Sequence, residues 1–311
     1  MTGARPLLIA LAAGILAPLA AIFLEARLGL GQDWISDAIL SAAFLTTTYL
    51  WLDLRATRTR LSDLERSQIA IESQLTLAAE IQRNLLPPVP RPRAGCRWGA
   101  LMHPAGKIGG DFYDFLETDR SVLFILGDVS GKGIPAALLM TSSRAIFRAI
   151  GRETHDPAEV LRRLSEVIFE DNKGAPYLTC VAARLDFQER RLTHVNAGHP
   201  PSLVLGVGGE RRLEAGGPPA GMFQGTRYEK ETVALSPGDV LVAVSDGITE
   251  ALENEGRRFG EALDAALAEA GKPPLPERFC SLLMKASEHG LDRGSGWHDD
   301  RTIVSVAIEG S

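Results

Sequence analysis

"GDVSGKGIPAALLM", residues 127–140, decides how the rest of the chain is read. A glycine-rich turn carrying a lysine, set between an apolar run and a helix-like run, either cradles a nucleotide phosphate or delivers Asp128 to a metal. A phosphate loop of the Walker type needs G-x-x-x-x-G-K-[ST]: enough backbone N–H groups to wrap phosphate, a lysine, and a hydroxyl for magnesium. Here only three residues separate Gly127 from Gly131, and Gly133 stands where Ser or Thr is required. The phosphate-loop reading fails on both counts, which leaves the carboxylate of Asp128 as the group to explain.

Outward from that stretch, more aspartates fall at the edges of strand-like runs. "GGDFYDF" supplies Asp111 and Asp114, "SDG" supplies Asp246, and "HDDRT" supplies Asp299 and Asp300. Alone, each is an ordinary turn or capping residue. Together, converging carboxylates repel unless cations neutralise them, and an oxygen-only set suits hard divalent ions such as magnesium or manganese.

The runs that carry them read as secondary structure. "SVLFILGDV" and "DVLVAVSDG" are apolar runs ending in Asp, fit for buried strands that deliver a carboxylate at their ends. "YLTCVAARLDF", "RRLTHVNAG", "SLVLGV" and "RTIVSVAIEG" are further strands. "IPAALLMTSSRAIFRAI" reads as a helix, as does "DPAEVLRRLSEVIFEDN", where Asp156 is placed to cap and Pro157 to occupy the first turn. Helices return at Phe259–Ala270 and over residues 276–289. Strands in hairpin order with helices between them give an α+β fold with antiparallel sheets.

The ordered series "AAEIQRNLLPP", "GGDFYDF", "GDVSGKGIPAALLM", "NAGHPP", "GDVLVAVSDGITEA", "GRRFG" and "DDRTIVSV" resembles the metal-dependent protein phosphatases of the type 2C fold, in their SpoIIE-like bacterial serine phosphatase branch. The resemblance runs from about residue 78 to residue 308. It implies a four-layer αββα sandwich of two mainly antiparallel sheets, over residues 95–311. It also implies hydrolysis of phosphoserine or phosphothreonine on a protein, with two divalent cations, Mn2+ or Mg2+, activating a water. By position, Asp128 looks like the bridging ligand, the Val129 carbonyl an added donor, Asp246 and Asp299 further ligands, and Asp111 the acid that binds or orients metal-held water. Asp300 takes a supporting place, and Asp114 is structural. Gly127, Gly131 and Gly133, with Gly109 and Gly110, are expected to keep the turns open for close approach of backbone and ligand. Ser130 stands where wider relatives carry a histidine, so the leaving-group acid is unassigned; Lys132 and His199 are candidates for it or for phosphate contact. A catalytically inactive scaffold that binds phosphoproteins is the alternative. The implied partner is a phosphorylated regulator in a partner-switching pathway, such as an anti-anti-sigma factor of the STAS fold.

The N-terminal third is different in kind. Residues 6–24 are uncharged over the length of a membrane span, and a second apolar run, residues 38–52, extends to a possible span at about 34–52. With Arg5 before the first and Arg55, Arg58 and Arg60 after the second, the expectation is a two-helix anchor over residues 1–53. It places the protein in the inner (cytoplasmic) membrane as a multi-pass protein with its catalytic domain in the cytoplasm. Residues 54–88 read as a helical linker. Its a positions are Leu54, Leu61, Gln68, Leu75 and Gln82, and its d positions Thr57, Leu64, Ile71, Ala78 and Leu85, a pattern for a coiled-coil homodimer. Pro87, Pro88 and Pro90 end it. A net charge of -6 without a basic run excludes a nucleic-acid partner. Cys96, Cys180 and Cys280 are odd in number and far apart, giving neither a disulfide framework nor a zinc site.

Overall fold

The computed structural model describes residues 33–206, 208–214, 216–254, 256–271, 274–288 and 299–310, together with 19–20, 22–23 and 26–27. It divides into two compact units, residues 1–74 and 75–311.

A single helix, α1 (Asp33–Leu85), runs through the first unit and ends in the second. The expectation of a multi-pass membrane anchor, and the inner-membrane localisation built on it, is corrected here. Among the described residues no helix is long and apolar enough to cross a membrane. The expected second span, residues 34–52, would rise roughly 28 Å as a helix, near a hydrocarbon core of about 30 Å, but it is not apolar throughout. Threonines interrupt it, with the Thr46 and Thr47 hydroxyls turned back onto the carbonyls of Ala42, Ala43 and Phe44. The expected first span, residues 6–24, lies outside the described residues but for 19–20 and 22–23.

The second unit is the expected α+β sandwich. Its strands are β1 (Cys96–His103), β2 (Phe112–Glu117), β3 (Ser121–Val129), β4 (Leu178–Asp186), β5 (Arg191–Ala197), β6 (Ser202–Gly206), β7 (Gly209–Leu213), β8 (Gly216–Gly217), β9 (Glu231–Ala234), β10 (Val240–Val244) and β11 (Arg301–Ile308). One sheet has the order β1-β11-β10-β6-β7 and is antiparallel throughout. The other has the order β2-β3-β4-β5-β8, antiparallel except for the β5–β8 contact, with β9 added to β5. Helices α2 (Ile134–Glu153) and α3 (Pro157–Asn172) cover the second sheet, and α4 (Asp246–Asn254), α5 (Phe259–Ala270) and α6 (Pro276–Glu288) cover the first. As the sequence indicates, Asp156 caps α3, its Oδ1 accepting from the Ala158 N–H at 3.1 Å with Pro157 in the first turn.

Side-chain alternation along a strand sorts these residues into three cores. In β3, Val122, Phe124 and Leu126 face the other sheet, while Leu123 and Ile125 face α2 and α3. Both faces are covered, which is why "VLFIL", residues 122–126, is apolar without a break. Between the sheets, Trp98 packs edge-on against Phe115 and Phe124, ring centroids 5.5 Å apart in both cases. The same parity continues to the strand ends. Asp128 shares the inter-sheet face with Leu126, Asp111 with Tyr113, Thr302 with Val304, and Ser245 with Ala243. Asp114 falls on the opposite face, beneath α2.

Candidate functional site

Four chain segments deliver acidic residues to one end of the sandwich. Asp111 precedes β2 and is 1% exposed, and the Thr302 hydroxyl donates to its Oδ2 at 2.6 Å. Asp128 is the penultimate residue of β3. Asp246 was expected at a strand end; instead β10 stops at Val244, and Asp246 opens α4, its carbonyl accepting from the Thr249 hydroxyl at 2.8 Å. Asp299 and Asp300 precede β11.

These carboxyls feel one another. Burial, then the charges of Asp128 and Asp300, hold Asp111 well above the usual carboxylate range, against hydrogen bonds from Thr302 and Ser245. Asp128 is pushed up to about 7 by burial, then by Asp246 and Asp299. Asp246 is raised by burial and then by Asp299, with the Gly247 N–H and Lys132 acting the other way. Lys132 reaches in from the glycine turn, Nζ 2.9 Å from Asp299 Oδ2, with both side chains partly open to solvent. The other oxygen of Asp299 accepts from the Asp300 N–H at 2.9 Å.

Asp300 is spent on backbone. Its Oδ1 accepts from the Ala105 N–H at 2.8 Å, and its Oδ2 from Gly110 at 2.6 Å and Asp111 at 3.3 Å. It therefore fastens the 105–111 loop to the start of β11 and fixes the approach of Asp111. The opposite side of that loop is held by Gln82 of α1, which is 7% exposed. Gln82 Nε2 donates to the Gly109 carbonyl at 2.7 Å, and its Oε1 accepts from the Gly109 N–H at 3.0 Å.

The glycines separate into different cases. A Cβ on Gly109 would lie 2.6 Å from Asp300 Cγ, and one on Gly110 3.0 Å from the Val129 carbonyl oxygen, so both allow close approach at the site. Gly127 instead makes room for the Phe112 ring, 2.8 Å from where its Cβ would stand. Gly131 (φ +100°) and Gly133 (φ +74°) have nothing within 4 Å of an added Cβ, so collision does not explain them; their left-handed backbone does. Gly133 caps α2 without any side-chain hydrogen bond.

The remaining candidates lie as follows. Ser130 continues the β3–β4 pairing, its N–H donating to the Tyr177 carbonyl at 2.9 Å and its hydroxyl oxygen accepting from the Tyr177 N–H at 2.9 Å. His199 is 5% exposed, its Nδ1 2.9 Å from the Thr179 hydroxyl and its backbone N–H donating to Asn196 Oδ1 at 2.7 Å. Burial pushes its imidazole down to about 3, so it is neutral near pH 7 and holds a turn. Asp114, fully buried, meets Arg148 Nη1 at 2.7 Å and Arg144 Nε at 2.9 Å, tying α2 to β2. Three participants escaped sequence reasoning. Glu250, one helical turn after Asp246, is raised by burial, then by Asp246 and Asp299; the i, i+4 spacing is its only trace. Gln82 reads in sequence as a polar break in an apolar stripe. Thr302, inside "DDRT", shows nothing of its bond to Asp111.

The donor chemistry fits divalent metal. The set is all oxygen, and a dication would relieve the repulsion that raises Asp111 and Asp128. Among the described residues, however, no three of these side chains are arranged to grip one ion, and Asp299 is occupied by Lys132.

The fold agrees with known proteins. A family model, stage II sporulation protein E (SpoIIE), matches residues 118–309, and the chain belongs to that family. Phosphoserine phosphatase RsbU of Bacillus subtilis is 31% identical over 243 residues, 76% of this chain and 70% of that protein. Phosphoserine phosphatase RsbP of the same organism is 27% identical over 194 residues, 60% of this chain but 47% of RsbP. The SiaA-PP2C domain of Pseudomonas aeruginosa superposes with a TM-score of 0.66 at 23% identity, covering 78% of this chain and 99% of that one, a likeness of fold.

Proposed function

We propose that the chain is a metal-dependent phosphoserine/phosphothreonine protein phosphatase whose divalent cations, two Mn2+ or Mg2+ ions, are held by Asp111, Asp128, Asp246 and Asp299 with the Val129 carbonyl. The observation that carries this is the electrostatic coupling of aspartates from four segments at one sandwich end, where burial and mutual repulsion leave a demand for cations. Kinship with two phosphoserine phosphatases supports the choice of substrate class. Bound metal supplies charge neutralisation and lowers the pKa of water so that hydroxide is available at neutral pH.

The protein's own groups set the stage for that chemistry. Thr302 orients the Asp111 carboxylate, and Asp300 and Gln82 hold the loop on which Asp111 and Gly110 lie. The substrate is a phosphorylated regulator, for which a STAS-fold protein is the candidate. The exposed apolar positions Leu54, Leu61, Leu64 and Ile71 of α1 offer a seam for a second copy of the chain. Because α1 also carries Gln82, a shift of this helix would be felt at the acidic loop.

The test is manganese-dependent phosphate release from a phosphoserine peptide by the full chain, wild type against Asp128→Asn. The variant loses roughly a hundred-fold or more in rate, as expected when several kcal/mol of charge stabilisation disappears. Chelation abolishes the wild-type rate and manganese restores it. Equal rates for the two proteins would remove Asp128 from the mechanism.

A further inference from the structure

Lys132 is placed to do more than decorate a turn. It sits between Gly131 and Gly133, both with left-handed backbone and with nothing within 4 Å of an added Cβ. The ammonium nevertheless points into the acidic cluster, 2.9 Å from Asp299. Its charge also offsets the repulsion felt at Asp246 and Glu250. Lysine is a compact point charge on a flexible stem, suited to exchanging partners. The pair is half in solvent, 53% and 34% exposed at the two side chains, and such ion pairs are weak enough to be given up.

We propose that Lys132 is a tethered cation with two alternate partners: it neutralises Asp299 when no metal is bound, and it moves to the substrate phosphate when metal takes Asp299. The inference rests on the phosphatase reading and adds to it a phosphate-binding group that is silenced until the site is loaded. Each state keeps charge balanced. Without metal the ammonium lowers the repulsion among the carboxylates; with metal the dications would repel it and a phosphoryl dianion would attract it.

Calorimetric titration of the full chain tests this without relying on turnover. Manganese is titrated into wild type, Lys132→Met and Lys132→Arg, and inorganic phosphate is then titrated into each manganese-saturated protein. Loss of the competing ammonium makes manganese bind about two- to five-fold more tightly in Lys132→Met, the scale of an exposed ion pair. Phosphate binds that variant roughly ten-fold more weakly, the scale of one charge-assisted hydrogen bond. Lys132→Arg stays near wild type in both. Manganese affinity that is unchanged or weaker in Lys132→Met, or phosphate affinity that is unchanged, overturns the exchange and leaves the phosphatase reading standing. A wild-type protein that binds no manganese overturns both.

Discussion

Replacing Gly109 by alanine drives a methyl group into the Asp300 carboxylate, which three backbone N–H groups hold in place. The new Cβ would stand 2.6 Å from Asp300 Cγ. Asp300 is 7% exposed and held by the N–H groups of Ala105, Gly110 and Asp111 at 2.8, 2.6 and 3.3 Å. On the far side Gln82 grips both the N–H and the carbonyl of Gly109. The carboxylate must therefore swing away. Two good charge-assisted hydrogen bonds and one long one are lost, at about 1.5 kcal/mol or more for each good bond, and water recovers part of that. Forcing a methyl group into a packed site costs about 1–3 kcal/mol by itself. The smaller backbone entropy of alanine in the unfolded chain returns less than about 1 kcal/mol. A net destabilisation of roughly 3 kcal/mol follows, measured as the fall in unfolding free energy in urea. Manganese affinity drops with it, about ten-fold, because the Asp111 backbone loses its anchor. Gly106→Ala is the control in the same loop: its Cβ would lie 3.7 Å from the Ile108 carbonyl oxygen, an ordinary contact, so stability stays within about 0.5 kcal/mol. Wild-type stability and manganese binding in Gly109→Ala would show that Asp300 does not hold the loop.

Two further outcomes follow from buried groups away from the acidic centre. Asp114→Asn, which strips the charge facing Arg144 and Arg148, destabilises the fold by about 3 kcal/mol in urea, yet calorimetry finds manganese affinity unchanged because Asp114 faces α2. His194 and His199 are held down to about 4 and about 3 by burial, so between those values and the unfolded value near 6.5 the unfolded chain binds more protons than the folded one. Their contribution to stability thus falls as pH drops below about 6.5, while Asp128, raised to about 7, takes up a proton on folding and works the other way in the same window; an NMR titration that found either ring protonated at pH 6 would contradict its burial.

Sequence periodicity reached the strands and helices because both leave a repeating trace. "SVLFILGDV" is buried on two faces and therefore legible as a strand, and Asp156-Pro157 marks a helix start without any knowledge of its neighbours. The resemblance rested on an ordered series of acidic motifs, and the sandwich matches what that series implied. What stayed hidden were contacts made through backbone. Gln82 recognises Gly109 by its amide and carbonyl, which every residue type shares, so nothing at position 109 announces the partner 27 residues earlier. The helical start at Asp246 was hidden for another reason: "VAVSDG" continues the apolar run to the turn, and only Gly247 and the covering of Ile248, Ala251 and Leu252 make the helix the better solution. The membrane expectation was drawn from apolar runs, and among the described residues no helix stays apolar over the length of a span.

The stripe of α1 has two fates along its length. Leu54, Leu61, Leu64 and Ile71 are open to water, whereas Leu75 and Ala78 are partly covered and Gln82 is engaged by the sandwich. A zipper begun at Leu54 would therefore run out of free teeth near Ile71, after roughly 27 Å of rise. Two copies pairing along so short a seam, as proposed, would be held only loosely, and dilution alone would part them.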